Sequence, residues 1–143
     1  AHHEKPSDEF LSSAEVYLLC PVRGVTPEEK AFLDAYVSQL EGRKCSVHYP
    51  PRDVDQNDET GLGIMVAHRA ALRGCREVHA FWNPKSEGSV GDLGMILMAE
   101  KPLKLINRDS VKAWLEMNPG KSFTRVVYEL DRLSEDKITY KDA

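Results

Sequence analysis

The fold is decided by the stretch Val16-Tyr17-Leu18-Leu19-Cys20-Pro21-Val22-Arg23-Gly24-Val25-Thr26-Pro27-Glu28-Glu29, VYLLCPVRGVTPEE. Its apolar half, residues 16–20, is short and ends at a proline, which predicts a buried strand. In the other half Thr26 can cap a helix, Pro27 suits the first helical position and Glu29 completes a capping box. A helix is therefore predicted from Pro27 to about Glu41, close behind the strand.

The same alternation of strand and helix continues along the chain. Further strands are predicted at 45–49, 77–82 and 102–107, further helices at 60–74, 89–100 and 109–117, and a polar loop at 50–59. In the first helix the residues expected to face inward are Phe32, Tyr36, Val37 and Leu40. Residues 122–132 have apolar side chains at helical spacing, but a fifth strand over 124–128 fits them equally.

Short connections between alternating strands and helices imply parallel strands joined by right-handed crossovers. The predicted fold class is therefore α/β, a three-layer sandwich with a four- or five-stranded parallel sheet, flavodoxin-like or Rossmann-like. The 143 residues contain no internal repeat, which suits one domain, placed at 14–133. Residues 1–13, with His2 and His3, are expected to be a disordered tail or a cloning remnant, and residues 134–143 a frayed tail.

Composition excludes several classes of partner. The net charge of −4 argues against a nucleic acid polymer, and no apolar run approaches the ~20 residues of a membrane span. Cys20, Cys45 and Cys75 have no CxxC spacing and lie in or beside apolar runs, which predicts buried thiols in a reduced, cytoplasmic setting. No pattern of residues has the spacing of metal ligands, so no metal is expected.

In an open α/β sheet, ligands bind at the carboxyl ends of the strands. That rule selects the loops 21–26, 49–59 and 83–89. The last of these runs into Ser86-Glu87-Gly88-Ser89-Val90-Gly91-Asp92-Leu93-Gly94, SEGSVGDLG. A helix start with glycines and serines can bind an anion through free N–H groups. The same pattern also fits a plain helix start, with Ser89 as N-cap and Asp92 as a first-turn acid.

The other two loops, the helix at 60–74 and the end of the strand at 77–82 supply further candidates, each with an ordinary structural alternative. Arg23 can bind a phosphate or carboxylate, or pair with a surface acid. Trp82 can stack on a base at the rim, or cover the core. His68 can be a catalyst, or a packing residue inside its helix. Asp53 can contact a substrate, or lie in a solvated loop.

Together these motifs resemble the nucleoside 2-deoxyribosyltransferase family, including its 2′-deoxynucleoside 5′-monophosphate N-hydrolases. In that branch the first strand carries a tyrosine and, five residues later, Arg-Gly; here Tyr17 is followed by LLCPV and then Arg23-Gly24. The family's second motif, S-x-G-x-x-x-E-L-G, reads Ser86, Gly88, Asp92, Leu93, Gly94 in this chain. The resemblance covers about residues 14–107.

The resemblance implies an N-glycosidase or deoxyribosyltransferase acting on a nucleoside or nucleotide, without a cofactor. The nucleophile would be Asp92, oriented by Tyr17. The substrate-binding residues would be Cys20, Pro21, Arg23, Gly24, Asp53, Trp82, Ser86, Gly88 and Ser89, with the phosphate held by Arg23 and the serines. Family members are commonly homo-oligomers, so a dimer or larger assembly is expected.

The sequence departs from the family pattern at two positions. Asp92 stands where the family has glutamate, so the carboxylate is one methylene shorter. His68 falls near the family's aspartate that assists the departing base, and a histidine could act there as general acid. Both departures leave an alternative open: a module that binds a nucleotide or an ADP-ribose-like ligand without turnover.

Overall fold

The computed structural model describes residues 14–141, and four parallel strands form its central sheet. The strands are β1 (Val16–Leu19), β2 (Val47–His48), β3 (Glu77–Ala80) and β4 (Leu103–Leu105), in the order β2-β1-β3-β4. In the centre of the sheet Tyr17 pairs with His48 on one side and with Val78 on the other. The predicted parallel sheet is confirmed, with four strands.

Within residues 14–141, six α-helices and one 3₁₀ turn connect and follow the strands. They are α1 (Pro27–Gly42), α2 (Pro50–Asp53), α3 (Leu62–Gly74), α4 (Glu87–Ala99), α5 (Arg108–Met117), α6 (Phe123–Ser134) and the 3₁₀ turn Glu135–Lys137. One core packs α1 against Val16 and Leu18, and the other packs α3 to α6 against Tyr17 and Leu19. Alternate side chains of β1 thus enter opposite cores, and the fold is the predicted three-layer α/β sandwich.

The fifth strand, one of two alternatives for residues 122–132, does not form, because Phe123–Ser134 is helical. Ser122 caps this helix by accepting a hydrogen bond from the Arg125 N–H. The Asp131 carboxylate accepts the Leu105 backbone N–H at 2.8 Å. The outer edge of β4 thus bonds to a helix side chain where a strand would otherwise pair.

Three other local predictions differ from the structure. Phe32 does not face the core: it is 45% exposed, and Leu33 is buried instead. The loop predicted at 50–59 contains the short helix α2, whose first turn begins with prolines and whose Asp53 side chain accepts the Tyr49 N–H. The helix predicted from 60 begins at Leu62, because Gly61 has φ +82° and cannot belong to a right-handed helix.

The C-terminal residues, expected to fray, are instead attached to the sheet as far as residue 141. Ile138 is buried, and the backbone N–H groups of Thr139 and Tyr140 donate to the Glu77 carboxylate. A buried carboxylate therefore holds the end of the chain in place. The tail predicted at residues 1–13 lies outside the described residues.

The three cysteines are free and buried, as predicted. Among residues 14–141, no helix has the length and apolar character that crossing a membrane requires.

Candidate active site

The centre of the sheet is the place where the strand order reverses. From β1 the chain continues to β2 on one side, whereas β3 continues to β4 on the other. A crevice forms at such a point, outside the carboxyl ends of the two central strands. A cleft of about 770 Å³ lies there. This volume suits a small organic molecule.

The N-cap of the helix after β3 lies three residues before the one that the sequence suggested. Ser86, and not Ser89, is the N-cap: its Oγ accepts the Ser89 N–H at 3.3 Å, and the Ser89 hydroxyl donates to the same oxygen at 2.9 Å. Asp92 therefore lies in the second turn of α4. There the helix turns its side chain inward, so the interpretation as a first-turn acid was wrong.

The Asp92 carboxylate joins three elements of the fold. The Tyr17 hydroxyl on β1 donates to Oδ2 at 2.7 Å, and Nδ1 of His68 on α3 lies 3.0 Å from Oδ1. All three side chains are buried, with Tyr17 at 0%, Asp92 at 3% and His68 at 7% exposure. Since a carboxylate oxygen accepts, Nδ1 of His68 carries a proton in this contact, and Nε2 is the ring nitrogen left for another partner.

Gly91 on α4 lies close to the end of the Met65 side chain on α3. A Cβ placed on Gly91 would lie 3.1 Å from Cε of Met65. Since this atom ends a flexible side chain, a larger residue at position 91 requires the Met65 side chain to move by a few tenths of an ångström.

Burial and the Asp92 carboxylate together keep the neighbouring acids protonated. Burial, and then the carboxylate, raise the pKa of the Tyr17 phenol well above its usual value. The same two causes raise the pKa of the Cys20 thiol to about 12. At neutral pH Tyr17 is therefore a hydrogen-bond donor, and Cys20 is an inert thiol.

Most of the predicted site residues meet at this cleft. Its lining includes Cys20, Arg23, His68, Ser86, Gly88, Ser89 and Asp92, and Tyr17 lies directly behind Asp92. Arg23 and the N-terminus of α4 thus lie on the same cleft as the carboxylate. A guanidinium and free helix N–H groups are suited to an anion.

Four predicted residues lie elsewhere. Trp82 is buried, and its indole N–H donates to the Thr124 hydroxyl at 2.9 Å, so it belongs to the core and is not available for stacking. Asp53 accepts hydrogen bonds from Arg52 and from the Tyr49 N–H, and these contacts lower the pKa of Asp53 against the opposing effect of burial. Pro21 and Gly24 belong to the loop of Arg23 but do not line the cleft.

Sequence reasoning missed several residues of the cleft and its surroundings. Gln56, Leu62, Met65 and Lys85 also line it. Lys85 lies within a loop that the sheet rule selects, so its position was a usable signal. Leu62 and Met65 gave none, because apolar residues on a helix usually face a core. His48, whose ring stacks on Tyr17 at 5.3 Å, was hidden inside a predicted strand.

No group of histidine, cysteine and acidic side chains within residues 14–141 has the arrangement of a metal site. Comparison with protein-family models, with curated proteins and with solved structures gave no match.

Proposed function

We propose that this protein cleaves the N-glycosidic bond of a nucleoside or a nucleoside 5′-monophosphate, or transfers its deoxyribosyl group, with Asp92 as the nucleophile. The observation that carries the proposal is the hydrogen bond from the Tyr17 hydroxyl to Oδ2 of Asp92, a residue that lines the cleft. It leaves a carboxylate oriented by a neutral donor beside a space that fits a nucleotide.

The chemistry resembles that of a retaining glycosidase. A carboxylate oxygen of Asp92 bonds to the anomeric carbon, and the carbon–nitrogen bond breaks with its electron pair on the base. His68, protonated for this step, supplies the proton that the base needs. Water or a second base then attacks the anomeric carbon and loses its proton to the His68 imidazole, and the electron pair of the ester bond returns to Asp92. Attack needs the anomeric carbon about 3–3.5 Å from the carboxylate.

The cation and helix start beside Asp92 favour a phosphorylated ligand. Arg23, the Ser86 hydroxyl and the N-terminus of α4 would bind the 5′-phosphate. No lysine, arginine or metal is required at the carboxylate itself, because Tyr17 and His68 already hold its two oxygens.

The test is release of free base from a panel of deoxynucleosides, ribonucleosides and their 5′-monophosphates, followed by chromatography. We expect base from at least one of them with the natural protein and none with Asp92→Asn. An Asp92→Asn variant that releases base at the natural rate would exclude Asp92 as nucleophile.

A second function, binding of a nucleotide or ADP-ribose-like ligand without turnover, is favoured by one observation. Asp92 is almost fully buried, and each of its oxygens already accepts a hydrogen bond. Thermal-shift measurements with the same panel distinguish the two functions. A ligand that raises Tm without any product would establish binding alone.

We also propose a homo-oligomer, dimer or larger, and a cytoplasmic location. Leu62, Leu97 and Met98 are exposed on α3 and α4, and Asp92, which is buried, is the only charged residue between Glu87 and Glu100. An uncharged helix surface is typical of a contact between subunits. Light scattering that gives the mass of a monomer would contradict the oligomer. Three free, buried cysteines fit a reducing compartment.

A further inference from the structure

His48, the last residue of β2, is a buried polar residue that the proposed reaction does not use. It is 6% exposed, and its Nε2 has no hydrogen-bond partner among the described residues. It does not line the cleft. His48 therefore does not contact a substrate in the cleft. Any function that it has must act through the residues that it touches.

The aromatic ring of Tyr17 packs against His48. The two residues are direct partners in the parallel pairing of β1 and β2, so their side chains lie side by side on one face of the sheet. Their rings stack with centroids 5.3 Å apart and planes inclined by 20°. Burial lowers the pKa of His48, so the stacked ring is uncharged at neutral pH.

Tyr17 is thus held between two imidazoles. The ring of His68 meets it edge-on, at 5.9 Å and 74°, on the side of Asp92. A tyrosine hydroxyl forms a strong hydrogen bond to a carboxylate only in a narrow range of ring orientations. Outside that range the angle at the donor falls and the hydrogen bond weakens steeply. A planar ring stacked on the phenol restricts that orientation more than a flexible side chain could.

We propose that His48 is a positioning residue, whose ring stacks on Tyr17 and keeps the tyrosine hydroxyl on the Asp92 carboxylate. The inference rests on the proposed function for its effect on catalysis, but the hydrogen bond that it concerns exists independently of any substrate. The planar ring of His48 positions Tyr17, and its unpartnered nitrogen takes no part in this role.

The alternative is simple packing, in which any side chain of similar volume would serve. Three variants separate the two explanations. His48→Phe keeps a planar ring without nitrogen, whereas His48→Leu and His48→Gln fill the space without a ring. The two ringless variants differ in polarity, so that one remains informative if the other fails to fold.

The first measurement is the NMR signal of the Tyr17 hydroxyl proton, assigned by its loss in Tyr17→Phe. A proton in a short, buried hydrogen bond exchanges slowly and gives a separate resonance. We expect the resonance in the natural protein and in His48→Phe, and its loss in folded His48→Leu and His48→Gln. Equal retention in the ringless variants would overturn the proposal, whether or not the protein releases base.

The second measurement is base release on whichever substrate the natural protein accepts. We expect kcat about tenfold lower in His48→Leu with KM unchanged, and His48→Phe close to the natural protein. In a Tyr17→Phe background His48→Leu should lower kcat no further, since the hydroxyl it positions is gone. A second, independent loss there would contradict positioning. Absence of base release in the natural protein would refute the proposed function and leave the NMR result to decide this inference.

Discussion

Two buried clusters in this chain use the same residue types, a carboxylate, a histidine and a tyrosine. The site cluster consists of Tyr17, His68 and Asp92, and the tail cluster of Tyr36, Glu77 and His79. They lie on opposite faces of the sheet, since Tyr17 belongs to one core and Tyr36 to the other. What separates them is the state of their hydrogen bonds.

In the tail cluster every polar group is satisfied. His79 bonds to Glu77 through Nε2 and to the Tyr36 hydroxyl through Nδ1, both at 2.6 Å. Thr139 and Tyr140 donate their backbone N–H groups to the same carboxylate. Burial opposes the charge on Glu77, but the His79 and backbone hydrogen bonds prevail and lower the pKa of that carboxyl. The cluster is closed and can only stabilise.

In the site cluster one hydrogen-bonding atom has no partner among the described residues. The carboxylate is at the centre, bonded to both partners, and Nε2 of His68 has no partner among the described residues although His68 lines the cleft. Buried polar atoms without a hydrogen-bond partner are uncommon, and each needs an explanation. Residue type therefore does not identify the site; an unpartnered nitrogen that borders a cleft does.

The largest effect is expected from neutralising each carboxylate in turn. Asp92→Asn should lower base release by about a thousandfold or more, because an amide cannot replace a carboxylate nucleophile. Glu77→Gln, the matched change in the tail cluster, should leave kcat within about twofold. Steady-state kinetics of the two folded variants measures both. Similar losses of activity would show that the clusters do not differ in function.

Removing each histidine tests the comparison in terms of stability. His79→Ala leaves the Glu77 carboxylate buried beside a cavity, and should lower the free energy of unfolding by about 3 kcal/mol. His68→Ala should cost less, about 1 kcal/mol, because water from the cleft can reach Asp92. Urea denaturation of both variants gives the difference. A larger loss for His68 would reverse the assignment of the closed and open clusters.

The sequence was sufficient for the fold because the strands are short apolar runs and the helices carry local signals. Thr26, Pro27 and Glu29 predicted the start of α1, and the capping box forms. The fate of residues 122–132 depended on β4, whose edge is satisfied by Asp131. Local spacing contains no information on such a distant partner.

The candidate site could be predicted only as far as the carboxyl-end rule reaches. It selected the loops of Arg23 and Ser86, which do line the cleft. Trp82, chosen because it ends a predicted strand at the rim, is instead buried in the core. Its indole N–H donates to Thr124 on α6, a helix more than forty residues away in sequence. The stacking of His48 on Tyr17 depends on the pairing of β1 with β2. The sequence of neither strand indicates which strand lies next to it.

Acidification should weaken both sides of the sheet together. Burial lowers the pKa of His48 and, against the effect of Glu77, that of His79 from the ordinary value of 6.5. Below pH 6.5 these two histidines therefore bind more protons in the unfolded chain than in the folded chain. The free energy of unfolding should therefore fall as pH drops from 6.5 to 5, by at most about 1.4 kcal/mol per pH unit for each histidine.

Urea denaturation across this pH range measures the slope. His48→Phe and His79→Gln should each remove one histidine's share, leaving the other. A flat profile in the natural protein would mean that neither histidine has the lowered pKa.

The smallest effect separates capping from ligand binding at two serines. Ser86 caps α4 and Ser122 caps α6, each by accepting an N–H three residues ahead. Ser86→Ala and Ser122→Ala should each lower the free energy of unfolding by about 1 kcal/mol. Only Ser86 borders the cleft, so only its replacement should also raise the Kd of a bound nucleoside monophosphate, by about tenfold for one lost hydrogen bond to a phosphate. Calorimetric titration compares the two variants, and an equal change in Kd would make Ser86 a helix cap and nothing more.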